Sequence, residues 1–172
     1  MPALVRLAAE HADALLAFEQ ENRAWFARSV PDRGDDYFAD FAARHAALLA
    51  EQTTGRCHFH LLVDDAEVLG RFNLVDVAGG EAELGYRVAR RAAGRGVATD
   101  GVRRMAALAR ETYGLRRLTA ATTLDNAASL AVLRRVGFTP AGEVSLDGRP
   151  GLRHVLTLAT GDERAVRAEN LA

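Results

Sequence analysis

Apolar and polar residues alternate over ALVRLA, residues 3–8, which predicts a short strand. Over EHADALLAFEQENRAWFA, residues 10–27, the spacing becomes helical, with Ala14, Leu15, Phe18, Trp25 and Phe26 mostly on one side and a break expected near Asn22. Pro31 and Gly34 in SVPDRGDD forbid continuous helix. A second amphipathic helix follows in YFADFAARHAALLAEQ, where Phe38, Phe41, Ala42, His45, Leu48 and Leu49 share a side. RCHFHLLV (56–63) and EVLGRFNLVDV (67–77) predict two strands in hairpin spacing, and AELGYRVA (82–89) a third after the AGGE turn.

Beyond a glycine segment, Val97, Gly101, Val102, Met105, Leu108 and Ala109 mark one face of a helix. RRLTAATT then predicts a strand, NAASLAVLRRV a helix, and FTPAGEVSL and GLRHVLTLA two strands about the DGRP turn. The order is strand, two helices, three strands, helix, strand, helix, two strands. It predicts an α/β protein with one mixed sheet and helices on both faces, not a doubly wound dinucleotide fold. No repeat or low-complexity linker divides the chain, so residues 1–160 are expected to form a single domain, with a polar C-terminal tail at 161–172.

The chemistry concentrates in ELGYRVARRAAGRGVATDGVRRM, residues 83–105, where a strand, a glycine turn and a helix follow one another. Such an arrangement aims unpaired backbone N–H groups at an anion, usually a phosphate. The dinucleotide fingerprint fits poorly, because Thr99 stands where its last glycine would be, and the lysine and spacing of a Walker loop are absent. A tight turn with close helix packing is the structural alternative for these glycines.

AAGRGVAT, on the helix after the fourth strand, resembles the signature of the GNAT superfamily of N-acetyltransferases, with Gly96 and Ala98 in its small positions and Ala93 where Gln or Arg is usual. ELGYRVARRAAGRGVAT and TTLDNAASLAVLRRVGF together are similar to the RimJ/RimL-like branch, ribosomal-protein-alanine N-acetyltransferases included. ENRAWFARSVPDRGDDYF is similar to segments near the front of such proteins.

The resemblance implies a GNAT fold, a mixed, mostly antiparallel seven-stranded sheet whose fourth and fifth strands splay apart. It implies acetyl-CoA as cosubstrate, with its pantetheine on Val88, Ala89, Arg90 and Asn126 and its pyrophosphate on Arg95, Gly96, Val97, Ala98, Thr99, Asp100 and Gly101. Asn126 or Asp125 is equally a helix N-cap, and a capped terminus can still face a ligand. Many members use a helix tyrosine as acid for the leaving thiolate, but Leu133 holds that position here. Ser129, one turn after Asn126 and so close to the cofactor, is the substitute, or a water.

Glu83 is the candidate general base and is otherwise a solvated strand carboxylate; strand parity does not decide, because a bulge is expected there. His154 is a further base candidate and otherwise a packed or surface residue. Glu21, Asn22, Arg23 and Trp25 at the helix break, with Asn73, are acceptor-binding candidates that could instead cap or pair. Arg149 and Arg153 are weaker ones. The pocket for the acceptor is expected between the first helices and the last two strands.

An amine must be neutral to attack: an α-amine with pKa of about 8 is roughly one-tenth neutral at pH 7, a lysine with pKa of about 10.4 less than about one-thousandth. A peptide N-terminus, such as that of a ribosomal protein, is therefore the leading acceptor, with a small amine or antibiotic as alternative. A non-catalytic CoA or ligand binder is the second class. Basic ribosomal targets would favour an acidic rim, for which Asp32, Asp35 and Asp36 are available.

Composition narrows this little. With 22 Lys+Arg against 23 Asp+Glu the net charge is −1, so no global field attracts nucleic acid or an anionic membrane. The single cysteine, Cys57, fits a buried role in a reducing cytoplasm. His58 and His60 share a strand face, but no third ligand accompanies them and no metal is expected. No signal peptide or apolar span is visible. A monomer or a homodimer is expected.

Overall fold

A computed structural model describes residues 1–159, so the expected polar tail lies outside the described residues. Seven strands, β1 (Ala3–Arg6), β2 (His58–Asp64), β3 (Glu67–Ala78), β4 (Glu81–Val88), β5 (Arg117–Thr123), β6 (Thr139–Leu146) and β7 (Arg149–Thr157), form one sheet. Its spatial order is β1-β2-β3-β4-β5-β7-β6, and every neighbouring pair is antiparallel except β4 with β5. This is the mixed, mostly antiparallel sheet expected from the sequence.

The two front helices are each divided, giving α1 (Ala12–Glu21), α2 (Arg23–Phe26), α3 (Asp35–Ala39) and α4 (Phe41–Thr53). The first break falls at Asn22, whose Nδ2 donates to the Phe18 carbonyl at 2.9 Å and so competes with the helical ladder. The second is at Asp40, where the backbone departs from helical values (φ −99°, ψ 16°). Helices α5 (Val97–Glu111) and α6 (Ala127–Val136) lie where the periodicity put them.

Strand alternation sends side chains to two cores. Phe72, Leu74, Leu84 and Leu118 meet Val102, Met105 and Leu133 on the α5–α6 side. Leu15, Phe18 and Phe41 meet Phe59 and Leu61 on the other. Each such fully buried side chain contributes roughly 1.5–3 kcal/mol. Gly101 belongs to the first core: a Cβ there would come within 2.1 Å of the Phe72 ring, so its glycine lets α5 approach β3. None of the helices among the described residues is long and apolar enough to cross a membrane.

The feature that positions the site is the short parallel seam. β4 and β5 pair only from Glu81–Glu83 to Arg117–Thr119, whereas β5 stays paired with β7 through Thr123. Past Glu83 the strands part, leaving the rest of β4 unpaired on that side. A bulge on β3 between Val75 and Ala78, with Asp76 at φ +52°, lies opposite the start of β4 and adds local twist.

Candidate active site

The gap between β4 and β5 opens into two joined cavities, of about 770 Å³ toward α5 and about 590 Å³ toward the β6–β7 turn. Tyr86, Arg87, Asn126 and Ser129 line both.

Part of the larger cavity's wall is built by backbone. Gly94 and Gly96 take φ of +72° and +77°, in left-handed conformations where a Cβ would strain the chain although space is free around them. Gly96 is the N-cap of α5, and no side chain caps it. The first helical bond is Asp100 N–H to Gly96 O at 2.9 Å, so the N–H groups of Val97, Ala98 and Thr99 have no acceptor within the helix. All three residues line the cavity. This uncapped, positively polarised terminus suits the diphosphate of a coenzyme. Arg28, over the Trp25 ring at 5.0 Å, and Arg135 add cationic side chains.

The β4 backbone supplies the next wall. Ala89 N–H donates to Leu69 O at 2.8 Å, and antiparallel alternation then turns the N–H and C=O of Val88 and Tyr86 away from β3, toward the gap. Trp25 Nε1 donates to the Val88 carbonyl at 3.2 Å.

At the junction Tyr86 Oη and Ser129 Oγ are 2.8 Å apart. Burial pushes the Tyr86 pKa up, against the opposing effect of the Ser129 hydrogen bond, so the phenol keeps its proton at neutral pH. Ser129 is held by the cap of α6, its N–H donating to Asn126 Oδ1 at 3.1 Å. Leu133 is buried beside the same cavity. A phenol thus enters the junction from β4, while α6 presents Leu133. Sequence reading missed Tyr86, because its strand position gains meaning only once β4 and β5 are known to part.

One part of the smaller cavity's wall is charged. Arg33, Arg71 and Arg87 line it and converge on Glu19, which is 1% exposed. Arg71 Nη1 reaches Glu19 Oε1 at 3.0 Å, Arg33 Nε reaches Oε2 at 3.1 Å, and Arg87 Nη1 lies 3.5 Å from Oε2. Asn73 lines the same wall with its Oδ1 buried and unpartnered.

Of the residues expected to hold a cofactor, Val88, Gly96, Val97, Ala98, Thr99, Asn126 and Ser129 surround the larger cavity. The others lie apart from it. Gly101 packs on Phe72, Ala89 is in the core, and Asp100 pairs with Arg104 at 2.9 Å. Arg90 N–H donates to Asn22 Oδ1 at 2.9 Å, and Arg95 is exposed on the loop.

The acceptor candidates also divide. Asn73 lies in the smaller cavity and Trp25 in the larger, while Asn22 spends both ends of its amide on backbone. Arg23 pairs with Asp32 at 2.7 Å and Asp35 at 2.9 Å, which holds the Asp32 carboxyl down at about 2. Glu21 is exposed and lines neither cavity. Arg149 lines the smaller cavity, paired with Asp125, and Arg153 lines neither.

Glu83 occupies the last paired rung, opposite Val75 and Thr119, and lines neither cavity; the parting of the strands begins just beyond it. His154 is buried and also lines neither. His58 stacks on Tyr113 at 3.5 Å and His60 Nε2 lies 3.1 Å from the Tyr113 hydroxyl, so both histidines are packing residues. Burial lowers the His60 pKa to about 4 and raises the Cys57 thiol to about 11.

Residues 3–139 match the family described as acetyltransferase (GNAT) domain. No curated protein sequence matches the chain. Among solved structures, a ribosomal-protein-S5-alanine acetyltransferase from Vibrio fischeri superposes with a TM-score of 0.83 at 18% identity, over 90% of this chain and 92% of that one. RimJ of Mycobacterium smegmatis, in complex with CoA-disulfide, superposes at 0.81 with 24% identity, over 96% and 88%. The microcin C7 self-immunity acetyltransferase MccE, in complex with acetyl-CoA and AMP, superposes at 0.80 with 17% identity, over 91% and 92%.

Proposed function

The chain belongs to the GNAT acetyltransferase family, and from that membership we propose that it transfers acetyl from acetyl-CoA to a primary amine, with a peptide or protein N-terminal α-amine as leading acceptor. The observation that carries this reading is the continuous path from the uncapped α5 terminus, along the unpaired edge of β4, to the Tyr86–Ser129 pair. When bound, acetyl-CoA supplies a thioester carbonyl open to an amine. The N–H groups of Val97, Ala98 and Thr99 hold its diphosphate, and the outward backbone of Tyr86 and Val88 pairs with its amide-bearing arm as a strand would. Trp25 steadies that backbone through the Val88 carbonyl.

Tyr86 Oη and Ser129 Oγ hold a proton at the junction, where it can neutralise a departing thiolate. An α-amine, roughly one-tenth neutral at pH 7, needs little help from a base. Glu83 lines neither cavity, so a role as base would run through water. The two RimJ-type and ribosomal-alanine neighbours support a peptide acceptor. A cavity of about 590 Å³ and the AMP-bound MccE structure favour a second reading, a small-molecule amine.

Thiol release from acetyl-CoA in the presence of peptides with free or blocked N-termini tests the proposal. Turnover with free α-amines alone is expected. Tight acetyl-CoA binding without turnover across peptides and small amines would make the protein a binder instead.

A further inference from the structure

We propose that Arg33, Arg71 and Arg87 form a subsite for a carboxylate carried by the acceptor next to its reacting amine. The inference rests on the reading that the smaller cavity receives the acceptor. Three guanidiniums there share one carboxylate, Glu19, which leaves an excess of two positive charges in that cluster; the rest of the lining holds Asp147 and Arg149, the latter paired with Asp125. Arg71 and Arg87 are direct cross-strand partners on one sheet face, an arrangement in which like charges repel. Arg33 comes from a distant loop and adds to that repulsion rather than relieving it.

Arg33 also stacks over Tyr37 at 4.5 Å and Arg87 over Phe26 at 5.1 Å, while Arg71 keeps a donor unused. Arg71 is 5% exposed, and its Nε is buried with no hydrogen-bond partner. A buried guanidinium with an unused donor, on the wall of a cavity, calls for an anion. The CoA diphosphate belongs elsewhere, since neither the glycine loop nor the α5 terminus lines this cavity. Of the acidic rim expected for basic targets, Asp32 and Asp35 share the single guanidinium of Arg23, which offsets only part of its charge. Arg87 lines both cavities and is next to Tyr86 on β4.

The carboxylate has two sources, an acidic side chain at the start of a peptide or the free α-carboxylate of an amino acid. Steady-state kinetics on matched peptides with Asp or Glu at the first or second position, their Asn or Gln counterparts, and free aspartate and glutamate distinguish them. A preference of about tenfold or more in kcat/KM for acid over amide is expected, and the ratio should fall toward one in Arg33→Gln and Arg87→Gln. Preference only for the free amino acids supports the same subsite with a small acceptor. Equal rates for acid and amide in the unmodified protein would overturn it. If no amine is turned over, the acetyltransferase reading fails separately. Calorimetry with glutarate then decides the subsite: binding that disappears in Arg33→Gln supports it, and no binding to the unmodified protein overturns it.

Discussion

The two cavities flanking the parted strands are built from different materials. Toward α5 the distinctive feature is main chain, with N–H groups made available by two left-handed glycines and an uncapped helix. Toward the β6–β7 turn the wall is side chain, with arginines from a loop and two strands gathered on a carboxylate from α1. Main-chain recognition tolerates wide changes of sequence provided the backbone path survives, and suits a ligand that every relative shares. Side-chain recognition changes with single substitutions and suits the partner that differs.

The largest expected effect is at the second wall. Glu19→Gln removes the carboxylate on which three guanidiniums converge and leaves buried, unpaired charge. Loss of an uncompensated partner of this kind costs about 3–5 kcal/mol of folding stability, measurable by urea titration. A loss below about 1 kcal/mol would mean that the cluster is more hydrated than its burial implies.

Tyr86→Phe tests the junction. It keeps the ring stacked on Phe72, at 6.0 Å between centroids, and removes only the hydroxyl. A fall of about 100-fold in kcat with unchanged acetyl-CoA affinity is expected if the pair holds the proton. A fall in affinity alone would assign Tyr86 to binding.

Gly96 and Gly101 sharpen the contrast between main chain for ligand and main chain for packing. Gly96→Ala forces a Cβ into a left-handed conformation costing roughly 1–2 kcal/mol, so acetyl-CoA should bind about tenfold more weakly. Gly101→Ala instead drives a methyl into Phe72 and should cost about 1–3 kcal/mol in unfolding free energy. Calorimetry and denaturation on both variants separate the two roles; identical profiles would erase the distinction. Smallest of all, Asp32→Asn should leave peptide KM within about twofold, because that carboxylate is an exposed partner of Arg23.

How much the sequence showed follows the same division. Element order was legible from periodicity, and the glycine loop from its residues, because both depend on local backbone chemistry. Ala98 and Thr99, which the resemblance put beside the cofactor, line the larger cavity because they lie in the first turn after Gly96. Gly101 was placed with the same loop by the resemblance, and one further turn of helix carries it round to Phe72. Asn22 looked available at a helix break, yet a polar residue there is the one best placed to satisfy loose backbone, as its bonds to Phe18 and Arg90 show.

The arginine cluster was not legible. Glu19, Arg33, Arg71 and Arg87 lie on four separate elements or loops, and nothing in their spacing announces a meeting. Tyr86 was visible inside a motif without a role. Its role depends on how far β4 and β5 stay paired, a property of the sheet rather than of either strand.

The most direct test follows backbone amide chemical shifts during titration with CoA. The largest changes should fall at Gly96, Val97, Ala98 and Thr99, with a second group at Tyr86 and Val88. Saturable CoA binding that leaves these amides unmoved, or that shifts instead the residues around Glu19, would contradict a main-chain cradle at the start of α5.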